Sequence, residues 1–215
     1  MKNNINRIPK PRRSFYSIVV KRILDIILSG GALLVLSPVF LIVSLLELKF
    51  HGKPIIYKQE RPGLNGRIFR ILKFRTMTNE TDKDGKLLPG YERITKFGKF
   101  LRKYSIDELP ELWCIFTGKM SIIGPRPLRV EYLPLYSERH KYRHCVRPGL
   151  ACVRLTPGKT WTWNDQFEND IFYIENVSFR LDVAMIIAVA RETLHPSEYR
   201  IDATRSPFNG YNLNE

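Results

Sequence analysis

Apolar residues are unevenly distributed along this chain. From Ile26 to Leu46 no charged residue occurs. A straight helix of that length, rising about 1.5 Å per residue, would reach across a hydrocarbon layer of about 30 Å. The run is long for a cleaved signal peptide, and no small-x-small cleavage site follows it. Pro38 falls in its middle, preceded by Ser37. Proline removes an amide donor and crowds the preceding turn, so the helix should kink or break there, with the Ser37 hydroxyl available to a freed backbone group. Both flanks are basic: Lys2, Arg7, Lys10, Arg12, Arg13, Lys21 and Arg22 come before, and Lys49, Lys53, Lys58, Arg61 and Arg67 after. Basic flanks belong on the cytoplasmic side. Two readings stay open on this pattern: a kinked spanning helix, and a helix that enters, bends at Ser37-Pro38 and leaves by the same face.

Elsewhere the pattern changes period. Residues 1–17 are polar and basic, with Pro9 and Pro11, and read as a tail or surface arm. Pro54 to Tyr57 reads as a short strand, Glu60 to Gly66 as a loop of turn formers, and the alternation in Ile68 to Phe74 as a strand. Thr78 to Gly90 is polar and reads as a mobile loop. Ile94, Phe97, Phe100 and Leu101 recur at helical spacing among Lys96, Lys99, Arg102 and Lys103, which predicts a basic amphipathic helix. Another helix is expected after Asp107. Leu128 to Tyr142 reads as helical with an interruption at Pro134, and Asp165 to Asn176 and Phe179 to Leu194 as two further helices. The apolar run Val183 to Ala190 is too short to cross a bilayer, which leaves a core or an interfacial position.

The chain has 215 residues, 44% of them hydrophobic, enough for one domain with a core. Its 35 Lys and Arg against 21 Asp and Glu give a net charge of +14. Such an excess predicts an anionic partner: nucleic acid, acidic lipid or a phosphorylated substrate. Cys114, Cys145 and Cys152 are irregularly spaced and odd in number, so they form no disulfide framework and point to a reducing compartment.

Three stretches could carry chemistry. In Leu101-Arg102-Lys103-Tyr104-Ser105-Ile106-Asp107-Glu108-Leu109-Pro110, Ser105 and Glu108 have the spacing of a capping box, and Pro110 suits a first helical turn. The same geometry serves phosphate: a helix N-terminus attracts anions and, with Arg102, keeps a carboxylate ionised. An ionised Asp can attack phosphorus, and an adjacent Glu can hold Mg²⁺, which binds through one or two carboxylates plus substrate phosphates. In Gly124-Pro125-Arg126-Pro127, two prolines fix the backbone around a guanidinium suited to bidentate phosphate binding, or around an ordinary solvated arginine. Lys73 and Arg75, sharing one face if their segment is a strand, could clamp a diphosphate. His140, His144, Cys145 and Cys152 resemble zinc ligands only superficially, because no C-x₂-C pair is present.

Together these stretches resemble the bacterial sugar transferase family of monotopic polyprenyl-phosphate phosphoglycosyl transferases. The resemblance runs from Lys21-Arg22 to about Asp182. It rests on Lys21-Arg22, Ser37-Pro38, Lys58-Gln59-Glu60-Arg61-Pro62-Gly63, Leu72-Lys73-Phe74-Arg75-Thr76-Met77, Ser105-Ile106-Asp107-Glu108-Leu109-Pro110, Gly124-Pro125-Arg126-Pro127 and Arg147-Pro148-Gly149, in that order. It implies an α+β, mostly helical fold: a tail over 1–17, a re-entrant membrane helix over 18–50 broken at Ser37 and Pro38, a cytoplasmic-face catalytic domain over 51–194 with interfacial amphipathic helices, and a C-terminal tail over 195–215. Asp107 matches the family nucleophile and Glu108 its partner at a Mg²⁺ site, with Arg102 beside them. Lys73, Arg75, Arg126 with Pro125 and Pro127, and Arg147 are expected on the substrate side.

The implied reaction is ping-pong. Asp107 takes the phosphosugar from a UDP-sugar with release of UMP, and undecaprenyl phosphate then collects it, on the cytoplasmic membrane. Anionic lipid is an expected partner and nucleic acid is not; a homodimer is a further candidate assembly. Cys114 stands where Asn is common, Lys119 where Asp is common, and Ala151-Cys152 where Thr-Gly often follows. These departures spare the acidic pair and bear on sugar and nucleotide preference. Two other readings are a membrane-anchored basic binding protein without catalysis and a degenerate family member acting as a scaffold.

Overall fold

The computed structural model describes residues 7–152, 162–194 and 205–214 of the chain, an α+β arrangement dominated by helices with two small sheets. Arg7 to Ser14 lie along the last part of the chain: the Arg12 amide donates to the Ile174 carbonyl at 2.9 Å, and the Lys10 amide to Glu175 Oε1 at 2.9 Å. A π-helical turn, Tyr16–Val20, leads into α1 (Lys21–Val35), and α2 (Ser37–Phe50) follows after Leu36. The two arms are bent by 60°. Pro38 sits in the first turn of α2, where its missing amide costs no helical hydrogen bond, so the expected break falls at Ser37-Pro38 for the expected reason. No single helix among the described residues is long and apolar enough to cross a membrane, and only this bent pair has the length and composition when taken together.

The α1 helix is polar inside and apolar outside. Lys21 meets Asp182 at 2.6 Å, and Arg22 donates to the Ile115 and Phe116 carbonyls at 2.6 and 2.8 Å. Asp25, buried in mid-helix, accepts from Ser121 Oγ at 3.1 Å and from the Ile122 amide at 2.9 Å. Gly30 lets the Phe116 ring approach the helix. Ile23, Ile27, Leu28, Leu34 and Val35 point the other way and are exposed, as are Leu41, Ile42, Leu45 and Leu48 on α2. That arrangement inverts the pattern of a helix in water, which buries its apolar stripe.

The β1 (Ile56–Pro62) and β2 (Ile68–Phe74) strands form an antiparallel hairpin in which Tyr57 faces Lys73 and Arg61 faces Phe69. Strand β2 spans the expected residues. Strand β1 runs past the expected Pro54 to Tyr57 and takes in Glu60, Arg61 and Pro62: a two-stranded hairpin has free edges, which tolerate proline, and the turn begins only at Gly63. The polar segment from Thr78 is irregular, with an isolated bridge between Thr81 and Leu87, up to the short helix α3 (Gly90–Arg93). The basic helix α4 (Lys96–Lys103) is capped by Thr95, whose hydroxyl accepts from the Gly98 amide at 2.8 Å. Leu101 on it is fully buried, while Phe100 is exposed.

After α5 (Glu111–Phe116), strand β3 (Ser121–Ile123) pairs in parallel with β4 (Gly149–Ala151). The intervening Leu128 to Tyr142 is not one interrupted helix. It contains two 3₁₀ turns, Val130–Leu135 and His140–Cys145, and Pro134 lies inside the first. Helices α6 (Trp163–Asn176) and α7 (Phe179–Leu194) close the fold. Thr162 and Asp165 form a reciprocal capping box at the start of α6. Asp182 on α7 gathers Lys21, Tyr16 Oη at 2.6 Å and Tyr173 Oη at 2.8 Å. Residues 205–214 pack back on α6: Phe208 joins Tyr132, Tyr136, Trp163 and Phe167 in an aromatic cluster, and Trp163 Nε1 donates to the Ser206 carbonyl. Residues 153–161 and 195–204 lie outside the described residues.

A Cβ on Gly149 would stand 2.1 Å from the Gly124 amide nitrogen, where backbone meets backbone and nothing can yield. Gly149→Ala should therefore destabilise the protein by on the order of 3 kcal/mol, through overpacking next to the Arg126 loop. Thermal unfolding of the purified variant checks it, and an unchanged melting temperature would refute it.

Candidate functional site

The acidic pair is presented by a reversal of the backbone. Ser105 follows α4 with φ 55°, in the left-handed region, and its side chain makes no capping bond. The capping-box reading of Ser105 and Glu108 therefore fails: a left-handed residue turns the chain back from α4 into a single 3₁₀ turn, Ile106–Glu108, leading through Leu109-Pro110 into α5. Ile106 and Leu109 pack into an apolar cluster with Val43 of α2, Phe74 and Leu101. They pin the turn on both sides of Asp107 and Glu108.

Glu108 Oε1 accepts from Lys73 Nζ at 2.5 Å and from Arg126 Nη2 at 2.6 Å. Lys73 also stands 3.2 Å from Glu111 Oε1, out of line for a hydrogen bond, so this buried oxygen has no hydrogen-bond partner. Arg102 Nε donates to Thr76 Oγ1 at 2.9 Å and places its charge near Asp107. The Arg126 backbone is held as well: its carbonyl accepts from Arg143 Nη2 at 2.8 Å, Arg143 is paired with Asp170 at 2.7 Å in the interior, and the Pro125 carbonyl accepts from the Gly149 amide. Asp107, Glu108, Arg102, Lys73 and Arg126 thus converge, with Pro125 and Pro127 framing the last.

Two expected substrate-side arginines are engaged elsewhere. Arg75 lies one residue beyond β2; its Nε donates to the Met77 carbonyl at 2.9 Å, and its charge acts on Glu47 and His51. Arg147 Nε donates to the Gly118 carbonyl at 2.9 Å, near Arg22. Ser37 and Pro38 serve the bend. The zinc-like residues do not assemble: among the described residues no three His, Cys, Asp or Glu side chains group as metal ligands. His140 and His144 lie on a 3₁₀ turn, so a separation of four does not stack them. Sequence reasoning passed over Glu111, although it follows Glu108 by three residues, a spacing that brings side chains together on a helix.

Burial sets the electrostatics. It raises the Asp107 carboxyl above the usual carboxylate range, with Lys73 and Arg102 opposing it and Glu108 adding to it. Burial also pushes on Glu108, but Arg126 and Lys73 outweigh it and hold that carboxyl low. Glu111 is pushed up to about 7 by burial, with Lys73 only partly offsetting. The result is one firmly ionised carboxylate beside a more basic one, inside a rim of cations. A carboxylate of raised basicity is a better nucleophile once ionised, and the rim suits phosphate oxygens. Asp107 and Glu108 carry hard carboxylate oxygens of the kind that Mg²⁺ takes as ligands.

The site gathers cations around adjacent carboxylates, an arrangement suited to phosphate oxygens. Sequence comparison defines the class of protein. The family profile described as "Bacterial sugar transferase" matches residues 16–196. The chain is 41% identical over 179 residues to the uncharacterized sugar transferase EpsL of Bacillus subtilis, covering 82% of this chain and 88% of that one. It is 34% identical over 196 residues to the UDP-glucose:undecaprenyl-phosphate glucose-1-phosphate transferase of Klebsiella pneumoniae, covering 85% of this chain but 42% of that enzyme. A UDP-N-acetylgalactosamine-undecaprenyl-phosphate N-acetylgalactosaminephosphotransferase of Aeromonas hydrophila is 34% identical over 197 residues, with 45% of its length covered. The chain thus spans less than half the length of these two enzymes. It belongs to the bacterial sugar transferase family.

Glu111 supplies a pH prediction. Burial lifts its folded pKa from the ordinary 4.5 to about 7, so between those values the native state binds more protons than the unfolded chain, and stability falls as pH rises through this window. Glu111→Gln removes that loss. The melting temperature of the variant should exceed that of wild type by about 3 °C or more at pH 8, with the gap closing towards pH 5. Parallel melting curves across that range would contradict the buried, raised carboxyl.

Proposed function

We propose that this protein transfers a sugar phosphate from a UDP-sugar to undecaprenyl phosphate at the cytoplasmic membrane, an early step in glycoconjugate synthesis. The observation that carries the reading is the convergence of Lys73, Arg126 and Arg102 on the Asp107–Glu108 turn. The Klebsiella and Aeromonas relatives, named for transfer onto undecaprenyl phosphate, supply the substrate class.

The chemistry runs in two displacements at phosphorus. An Asp107 carboxylate oxygen attacks the sugar-bearing phosphate; the bond to the UMP oxygen breaks, and UMP leaves. An oxygen of undecaprenyl phosphate then attacks the same phosphorus and displaces Asp107, giving undecaprenyl diphosphosugar. Neither displacement needs a proton donor, because both leaving groups are stable anions. Lys73 and Arg126 balance charge on the non-bridging oxygens, while Glu108 orients both cations. Mg²⁺ bound by Asp107 and Glu108 would neutralise the diphosphate.

The reading requires a soluble and a lipid substrate to meet at one place, and the exposed surface supports it. The exposed apolar faces of α1 and α2, with Phe100, Trp113 and Phe116 also exposed, provide a surface for lipid beside the acidic turn. In this reading the bent pair is a re-entrant anchor, and the basic residues around it meet anionic headgroups, at about 1 kcal/mol per nearby Lys or Arg.

Purified protein with Mg²⁺ and a panel of UDP-sugars should release UMP in the presence of undecaprenyl phosphate with one of them. Asp107→Asn should abolish this, lowering the rate by about 10³-fold or more. Undiminished turnover in Asp107→Asn would dismiss Asp107 as nucleophile. Absence of UMP release with every donor, in folded protein, would favour a scaffold role.

A further inference from the structure

Two carboxylates face the same ammonium. Lys73 Nζ donates to Glu108 Oε1 at 2.5 Å and stands 3.2 Å from Glu111 Oε1. The 3₁₀ turn Ile106–Glu108 runs through Leu109-Pro110 into α5, so Glu111 opens that helix and its carboxylate returns to Lys73. Glu111 is buried, and its Oε1 finds no hydrogen-bond partner among the described residues. The cations that act on it are Lys73 and then Arg126. Cys114, further along α5, is close enough to feel its charge and belongs to an apolar cluster with Ile71, Ile115 and Met120. A buried carboxylate oxygen that faces a cation without bonding to it forgoes a charge-assisted hydrogen bond, and such an atom asks for a role beyond packing.

The two cations on Glu108 differ in freedom. Arg126 presents a planar fork from a backbone held on both sides, by Arg143 at its own carbonyl and by the Gly149 amide at the Pro125 carbonyl. Lys73 ends a flexible four-carbon stem with three rotatable donors, of which Glu108 uses one. Its neighbours on β2, Leu72 and Phe74, pack into two separate apolar clusters, so the backbone stays in place while the ammonium can swing. Glu111 Oε1 already lies at ion-pair distance, and only the direction of an N–H is lacking. A divalent cation on the Glu108 carboxylate would set two further positive charges beside Lys73 and compete for the oxygen that Lys73 shares with Arg126.

We propose that Glu111 is the second acceptor for Lys73, a positioning residue to which the ammonium passes when a divalent cation occupies Glu108. No covalent bond changes and no proton moves: an N–H of Lys73 turns from one carboxylate to the other. The handover takes a like charge off the metal's ligand and keeps the ammonium at the edge of the site, within reach of a phosphate oxygen. Without Glu111 the metal has to share Glu108 with Lys73 or expel the ammonium towards solvent, and it binds more weakly for either reason. The three carboxyl groups then divide the work, with Asp107 for the phosphorus, Glu108 for the metal and Glu111 for the lysine. The assignment rests on the transferase reading, which places Mg²⁺ at the Asp107–Glu108 turn, and adds the residue that makes room for it.

The test is calorimetric titration of the full chain at pH 8 with MgCl₂ alone and no sugar donor. Glu108→Gln, which should lose the site, sets the baseline. Glu111→Met, similar in length but without an acceptor, should weaken Mg²⁺ by about tenfold. Glu111→Gln, whose side-chain carbonyl still accepts from Lys73, should stay within about threefold of wild type. In a Lys73→Met background the Glu111→Met penalty should vanish, because no ammonium is left to relocate; a structural role, or direct ligation of the metal by Glu111, would preserve it. Should Lys73→Met fail to fold, the contrast between Glu111→Met and Glu111→Gln decides alone. Equal Mg²⁺ affinity in wild type and Glu111→Met overturns the handover, as does an equal loss in Glu111→Met and Glu111→Gln. If wild type and Glu108→Gln take up Mg²⁺ alike, no metal sits at the turn and the handover is again overturned. UMP release from a UDP-sugar by the wild-type protein, measured in parallel, separates each of these failures from a failure of the transferase reading.

Discussion

One oxygen atom, Glu108 Oε1, receives two cations that reach it from different parts of the chain, Lys73 from the hairpin and Arg126 from the loop after β3. Three carboxyl groups, Asp107, Glu108 and Glu111, are packed into this corner, and burying them is tolerable only because those cations arrive. The requirement propagates outward. Arg126 holds its place because Arg143, paired with Asp170 on α6, grips its carbonyl, and because Gly124 and Gly149 allow β3 and β4 to close beneath it. Lys73 holds its place because the hairpin register puts it opposite Tyr57. Much of the small, irregular core is scaffolding for these two side chains.

A second constraint runs along α1. Its inward stripe of Lys21, Arg22, Asp25 and Ser29 is bound by α7, by the end of α5 and by β3, so the helix is fixed by polar contacts rather than by apolar packing. The apolar side chains are thereby released for another environment. The bend after Leu36 then carries α2 beneath the hairpin, where Val43 and Phe40 meet Phe74 and brace the acidic turn through Ile106 and Leu109. The bent helix pair and the site share a wall.

What could be read in the sequence was what depends on near neighbours. Alternation marked β2, helical spacing marked α4, and a proline in an apolar run marked the bend. Local signals misled where tertiary packing overrode them. Ser105 and Glu108 carry capping-box spacing, yet packing of Ile106 and Leu109 takes Ser105 into a left-handed turn instead. Leu128 to Tyr142 has helical periodicity, but its side chains serve two separate clusters and the backbone divides into 3₁₀ turns. Arg75 followed Lys73 with strand spacing, but the strand ends at Phe74 and its guanidinium turns to the Met77 carbonyl. Arg143 draws its significance from Asp170 and the Arg126 carbonyl, partners distant in sequence, which spacing cannot reveal.

The ion pair between Lys21 and Asp182 joins residues separated by 161 positions. A ribosome makes α1 well before the groups that bind its inner stripe, which emerge at Ile115, Ser121 and finally Asp182. Throughout that interval the nascent helix carries an unsatisfied carboxylate and two cations amid a greasy sequence. Its settling into place has to await α7, whose Asp182 is the clasp on a residue made 161 positions earlier.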